Sequence, residues 1–320
     1  AGTYNPNTGS TASTDCVDAD AGNYVSSTGQ SGQTACLEGT YQEDTGQEGC
    51  DDAEPGHYVD LTGQSSQTAC LAGTYQADTG QDDCDDADAG YYVSSTGQST
   101  QTAASAGNYV SSTGQSSQTA CLEGTYQEDT GQDGCDDAEP GHYVDQTGQT
   151  DQTRCELGTY QASTAQSSCV DADAGYYVPT TSQTSQTAAD AGYYVPTTGQ
   201  STQSAADAGY YVDSTLGSGQ PSQTACLAGT YNPNTGSTRS VDCLESIVGY
   251  HVPTSGQSSQ TACDAGSYQP DTGQDDCDDA NLGYYVPATG QSSQTECAIG
   301  TYQATTGQSS CDEADAGYYV

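Results

Sequence analysis

Apolar positions along this chain follow neither a helical nor a long-strand rhythm. They come in brief clusters such as Gly-Tyr-Tyr-Val, separated by long polar stretches, and the clusters return every seventeen residues. No window carries the 3.6-residue stripe of an amphipathic helix. Gly, Thr, Tyr and Pro also recur too often for helices to form. Within each period, Gly-Tyr-Tyr-Val and Ser-Gln-Thr-Ala are short β-prone stretches on either side of a Thr-Gly-Gln turn. The pattern therefore predicts one small hairpin, or two short strands, per seventeen-residue unit.

The register is set by aligning Cys70–Asp86 with Ala87–Ala103, which matches Gly at position 4, Tyr at position 6 and Thr-Gly-Gln at positions 10–12. Units begin at 19, 36, 53, 70, 87, 104, 121, 138, 155, 172, 189, 206, 226, 246, 263, 280, 297 and 314, after an incomplete first unit at 1–18. Three-residue insertions lengthen that first unit and those beginning at 206 and 226. Position 6 is Tyr in every unit except one, where His251 takes its place. Gly at position 11 supplies the positive φ of a tight turn, and Gly at position 4 marks a bend or a close backbone approach. The position-6 Tyr is expected to be the main apolar body of each unit.

Cysteine divides the units into two kinds. In the cysteine-bearing kind it stands at positions 1 and 15, which pairs Cys36 with Cys50, Cys70 with Cys84, Cys121 with Cys135, Cys155 with Cys169, Cys263 with Cys277 and Cys297 with Cys311, all 14 residues apart. Cys226 and Cys243 are 17 apart, as their unit's insertion requires. Pairing between units would instead give spacings of 20, but also 37 and 57 wherever cysteine-free units are duplicated. A bond inside the unit is indifferent to duplication and is the expected scheme. Each such loop is worth on the order of 3 kcal/mol in the chain-entropy picture. With no Cys-x-x-Cys and no His-bearing cluster, these residues read as staples and not as metal ligands. Cys16 is left over, its partner expected two residues before Ala1. Both ends fall inside units, so the sequence reads as a window on a longer repetitive polypeptide.

Composition sharpens this picture. The 320 residues include no Trp, Phe or Met and only 26 Leu, Ile and Val, too few for a conventional core. Fifteen cysteines offset that lack, as in small modules stapled in oxidising compartments. Acidic residues number 44 against Arg154 and Arg239, for a net charge of −42. Such a surface excludes nucleic acid as a partner and is repelled by anionic lipid. It suits a marine or saline exterior, where about 0.5–1 M salt shortens the Debye length to about 3–4 Å. No apolar run reaches the roughly 18 residues of a membrane span. Asn-x-Ser/Thr sequons are absent, so any glycan is expected on Ser and Thr.

The stretches Cys36–Cys50 (CLEGTYQEDTGQEGC) and Cys70–Cys84 (CLAGTYQADTGQDDC) resemble the extracellular cysteine-rich repeats called ephrin-receptor-like, relatives of growth-factor-receptor and tumour-necrosis-factor-receptor modules. The shared signature is Cys-x-x-Gly-Thr-Tyr, a Gly turn and a second Cys. The Thr-Gly-Gln-rich tandem copies also look like those of very large surface proteins of planktonic marine archaea. The resemblance implies an elongated, disulfide-laddered β rod outside the cell. Where the family continues with a further Cys-x-x-Cys step, Asp-Asp-Ala follows Cys50, Cys84, Cys135 and Cys277 here, so receptor signalling is not implied.

Candidate chemistry is sparse. Acidic groups at unit junctions are hard oxygen donors suited to Ca²⁺: Asp51, Asp52 and Glu54; Asp85, Asp86 and Asp88; Asp136, Asp137 and Glu139; Asp278 and Asp279. They lack the EF-hand spacing, and a solvated acidic surface is the plainer reading. His57, His142 and His251 stand in separate units, and no Ser-His-Asp arrangement is specified, so no enzyme is expected. Recurrent Thr at position 10 could carry O-linked sugars or, less plausibly, form an ice- or glycan-binding ladder; it also suits exposed strands and turn flanks.

The expected fold class is mainly β: an elongated, disulfide-stapled tandem-repeat rod of 17-residue hairpin or solenoid-like units, one continuous array over 1–320. Stacked at about 4.8 Å, nineteen units would span roughly 90 Å. The cysteine-free stretch 172–225 is expected to be more flexible. The expected function is an extracellular structural fibre or stalk whose partners are further copies of itself, with O-linked glycans and divalent cations as candidate companions. The alternative is a spacer in a cell-surface adhesin or receptor ectodomain.

Overall fold

The computed structural model describes residues 1–317 and divides into two compact bodies, one of residues 1–153 with 163–168, the other of 154–162 with 169–317. Each is built the same way. Every strand is two residues long and every sheet is a two-stranded antiparallel hairpin closed within one unit. Position 5 faces position 17 and position 6 faces position 16: Thr40 with Asp52 and Tyr41 with Asp51 in the first body, Tyr176 with Ala188 and Tyr177 with Thr187 in the second. The mainly β, disulfide-stapled tandem-repeat class expected from the sequence is thus present, in its separate-hairpin form. The three-residue insertions each wind one short 3₁₀ turn, at Ser13–Asp15, Ser214–Leu216 and Ser240–Asp242. These are the only helical segments among the described residues. At the second, Asp213 accepts the Thr215 hydroxyl at 2.6 Å and its N–H at 2.9 Å, which holds its carboxyl below the ordinary aspartate range.

Hairpins with two-residue strands are not stable alone. What holds them is a set of four backbone hydrogen bonds to the next unit. Gly22 N–H donates to Gln42 C=O at 2.8 Å and Val25 N–H to Gln47 C=O at 3.0 Å. In return Cys36 N–H donates to Gly22 C=O at 2.9 Å and Gly46 N–H to Ala19 C=O at 2.8 Å. The same four bonds join the units beginning at 172 and 189, where no cysteine is present. Within each body, hairpins also approach the next but one. A Cβ on Gly22 would fall inside the carbonyl of Gly63, two units on, and one on Gly158 inside that of Gly199. Position 4 is glycine because the backbone of another unit fills the side-chain space. Its turn chemistry agrees: in Glu54-Pro55-Gly56-His57 the His57 N–H closes on Glu54 C=O at 2.9 Å, with Pro and a positive-φ Gly at the central positions of a type II turn.

This stacking decides what is buried. Position 7 and position 1 are enclosed: Val25, Val59 and Val93 at 1–2% exposure, and Ala19, Cys36, Ala53 and Cys70 at zero. The position-6 Tyr, expected to be the main apolar body, is only half-buried, as at Tyr24, Tyr41 and Tyr58. The reason is geometric. Positions 1 and 7 are themselves the hydrogen-bonding steps between units, so their side chains point into the closed seam. Units with a disulfide replace the position-7 Val by a buried Gln, or by the buried Asn232 in the unit beginning at 226. Gln76 Nε2 donates to Asp83 C=O at 3.0 Å while its Oε1 accepts Asp78 N–H at 3.0 Å, so one side chain fills the loop and satisfies its backbone.

Candidate functional site

Each unit from 19 to 313 has a staple across its base, in one of two chemistries. In the cysteine-bearing units it is a disulfide between positions 1 and 15: Cys36–Cys50, Cys70–Cys84 and Cys121–Cys135 in the first body; Cys155–Cys169, Cys226–Cys243, Cys263–Cys277 and Cys297–Cys311 in the second. Each closes within its own unit. Cys16 carries an exposed thiol.

In the cysteine-free units, position 15 is Gln and the staple is a pair of hydrogen bonds to position 2. Gln101 Oε1 accepts Asp88 N–H at 2.7 Å, and its Nε2 donates to Asp88 Oδ2 at 2.6 Å. The triple cysteine-free run has three such clamps: Asp173–Gln186, Asp190–Gln203 and Asp207–Gln223. Where position 2 is Ile247 or Asn281, only the bond to the backbone N–H remains, from Gln260 and Gln294. Sequence reasoning passed over this clamp. Its signal was available, since Gln holds position 15 wherever Cys does not and an acid commonly accompanies it at position 2.

The clamp also bears on the acidic residues singled out for Ca²⁺. Asp51, Asp52, Asp85, Asp86, Asp136, Asp137, Asp278 and Asp279 lie side by side on exposed strands. Glu54, Asp88 and Glu139 turn instead to Gln67, Gln101 and Gln152. Among the described residues, no three carboxylates are gathered closely enough to share an ion. What the acidic strands do alter is tyrosine. Burial, reinforced by Glu54, Glu43 and Asp51, holds the Tyr41 phenol above its ordinary range. Burial with Asp88 and Asp85 does the same at Tyr75, and burial with Asp136 and Glu139 at Tyr126.

One group of potential soft-metal ligands does converge, where the sequence showed no His-bearing cluster. His251, at position 6, lies with its Nδ1 3.0 Å from Cys277 Sγ of the next unit. The ligand atoms of His251, Cys263 and Cys277 all lie within 4.8 Å of one another. Twenty-six residues separate His251 from Cys277, and only stacking of the two hairpins joins them. His57 and His142, at position 5, are elsewhere, and their Nδ1 atoms are buried without a hydrogen-bond partner.

Hollows beside the staples are shallow. One of about 310 Å³ is lined by Tyr211, Cys226, Cys243 and Glu245, another of about 440 Å³ by Tyr58, Cys84 and Asp86. Among the described residues no helix is long and apolar enough to cross a membrane. No family model matches the sequence, and no curated protein matches it significantly. The likeness to ephrin-receptor-like repeats is therefore one of motif.

Proposed function

We propose that this chain is a structural protein of the cell exterior, a segment of a fibre or stalk extended by tandem duplication of one stapled hairpin. The observation that supports this reading is the uniformity of the joint between units. The same four backbone hydrogen bonds recur whether the staple is a disulfide or a Gln clamp. A unit can be added or removed without redesigning a core, because each contacts only its near neighbours. Seven disulfides favour an oxidising compartment. The net charge of −42 favours a saline one. In this reading the partners are further copies of the same chain, the exposed Ser and Thr residues accept O-linked sugars, and no catalysis is involved.

Electron microscopy of the native surface material, with antibody labelling against the repeat, tests the proposal. Labelled filaments or regular stalks are the expected result. Label confined to a soluble, intracellular pool would overturn it, and isolated stalks tipped by a globular domain would reassign the chain to an adhesin spacer.

A further inference from the structure

The convergence of His251 on the Cys263–Cys277 staple has no counterpart in the repeat's own design. Position 6 elsewhere is Tyr, and before a disulfide that Tyr can line the same hollow as the staple, as Tyr58 does with Cys84 and Tyr211 with Cys226 and Cys243. At this one junction the ring is an imidazole with a nitrogen 3.0 Å from sulfur. We propose that, once Cys263–Cys277 is reduced, His251, Cys263 and Cys277 form a binding site for one Zn²⁺ ion.

Three observations support this. The donor set is chemically apt, since two thiolates and an imidazole are the borderline-soft ligands that favour Zn²⁺ over Ca²⁺ or Mg²⁺. The spacing is apt as well. Zn–S bonds of about 2.3 Å and Zn–N bonds of about 2.0–2.1 Å need ligand atoms a little under 4 Å apart. His251 Nδ1 starts 3.0 Å from Cys277 Sγ, and the two sulfurs, bonded in the oxidised chain, need only part to that separation once reduced.

The third observation is that hydrogen bonds as well as the S–S bond hold the backbone around both cysteines. Cys263 N–H donates to Gly249 C=O at 2.9 Å, and Gly290 N–H donates to Cys263 C=O at 2.8 Å. Cys277 N–H donates to Asp276 Oδ1 at 2.8 Å, and Gln269 Nε2 holds Asp276 C=O at 2.8 Å. On the other side, Val252 N–H, next to His251, donates to Gln274 C=O at 3.0 Å. None of these bonds passes through the sulfurs, so in this proposal they continue to hold the ligands near one another once the disulfide is broken. Three protein ligands leave a fourth coordination position for water.

The chemistry balances simply. A phosphine reductant and one water convert the disulfide into two thiols and the phosphine oxide. Zn²⁺ then displaces both thiol protons to the buffer and takes the neutral imidazole through Nδ1. In the oxidised state neither sulfur is available as thiolate, so the disulfide and the metal exclude one another.

The test uses the full chain, reduced with a phosphine in metal-free buffer and titrated with Co²⁺ as an optical probe, followed by displacement with Zn²⁺. One equivalent should bind with a thiolate-to-cobalt charge-transfer band, and X-ray absorption of the Zn²⁺ form should show two sulfur neighbours and a nitrogen. H251Y restores the residue the other units carry, so it should fold, and it should weaken this site at least tenfold. C263S/C277S, which retains the imidazole and the six other cysteine pairs, should lose the same equivalent. Equal affinity in the reduced wild type and in H251Y overturns the proposal, as does binding of the same strength to the oxidised chain or no binding at all.

Discussion

Gln203 grips Asp190 twice, its Oε1 accepting the Asp190 N–H at 2.7 Å and its Nε2 donating to the Asp190 carboxylate at 2.6 Å. Thirteen residues apart, the pair closes the base of its hairpin where a neighbouring kind of unit places a disulfide. Cysteine and the clamp are alternative solutions to one problem. Position 1 needs a small buried side chain, which Ala, Cys or, at one unit, Ser246 supplies, and the loop end at position 15 must be tied down.

The exchange should run in either direction. Gln203→Ala is expected to cost about 1–2 kcal/mol, the scale of two hydrogen bonds with one charged acceptor. Hydrogen exchange should locate the loss in residues 189–205. In the same unit A189C/Q203C should oxidise spontaneously and add up to about 3 kcal/mol, as expected for a loop of this length. Failure of that pair to bond, shown by free-thiol labelling, would mean the two kinds of unit are not interchangeable at their base.

Glycines of similar φ should differ sharply in what they tolerate. Gly29 has φ 82° and open space around its missing Cβ, whereas Gly39, at the same φ, faces the carbonyl of Gly80 two units on. Gly29→Ala should cost about 1 kcal/mol for the left-handed backbone alone. Gly39→Ala should cost about 3 kcal/mol or more, because the obstructing atom is backbone and cannot rotate away. Paired urea melts compare the two, and equal losses would contradict the next-but-one packing.

Alkali should loosen the units that hold Tyr41, Tyr75 and Tyr126. Each phenol is held above its ordinary value, so the folded state keeps a proton that the unfolded chain gives up. The associated stability is therefore intact below about pH 10, the unfolded value, and is lost as pH rises through the higher folded value. Absorbance near the tyrosinate band should show these three titrating after exposed tyrosines. A single, unshifted titration of all tyrosines would contradict this.

Salt should stabilise the chain without regard to cation identity. Raising NaCl from about 0.05 M to about 1 M shortens the Debye length from roughly 14 Å to 3 Å and relieves repulsion among the carboxylates. A rise in Tm of several degrees is expected, and CaCl₂ at equal ionic strength should add little, because Glu54, Asp88 and Glu139 are engaged by glutamines. A Ca²⁺-specific rise, abolished by a chelator, would show that the acidic strands gather round an ion after all.

Much of this architecture is local and was legible in one dimension. The seventeen-residue period, the hairpin about Thr-Gly-Gln and the positive-φ glycines are properties of a single unit, and repetition makes them stand out. Even Ala165 and Ser182, which replace the position-11 glycine, keep φ near 57° and 59°, so the turn is imposed by its place in the unit. Contacts between units were not legible. Two residues 26 apart, His251 and Cys277, meet because consecutive hairpins stack, and Val at position 7 outranks Tyr at position 6 in burial for the same reason. Sequence by itself determined what each unit is, since pairing partners lie within one short loop. Only the tertiary structure decided what each unit hides and what it touches, because the backbone bonds that join units read nothing of the side chains they enclose.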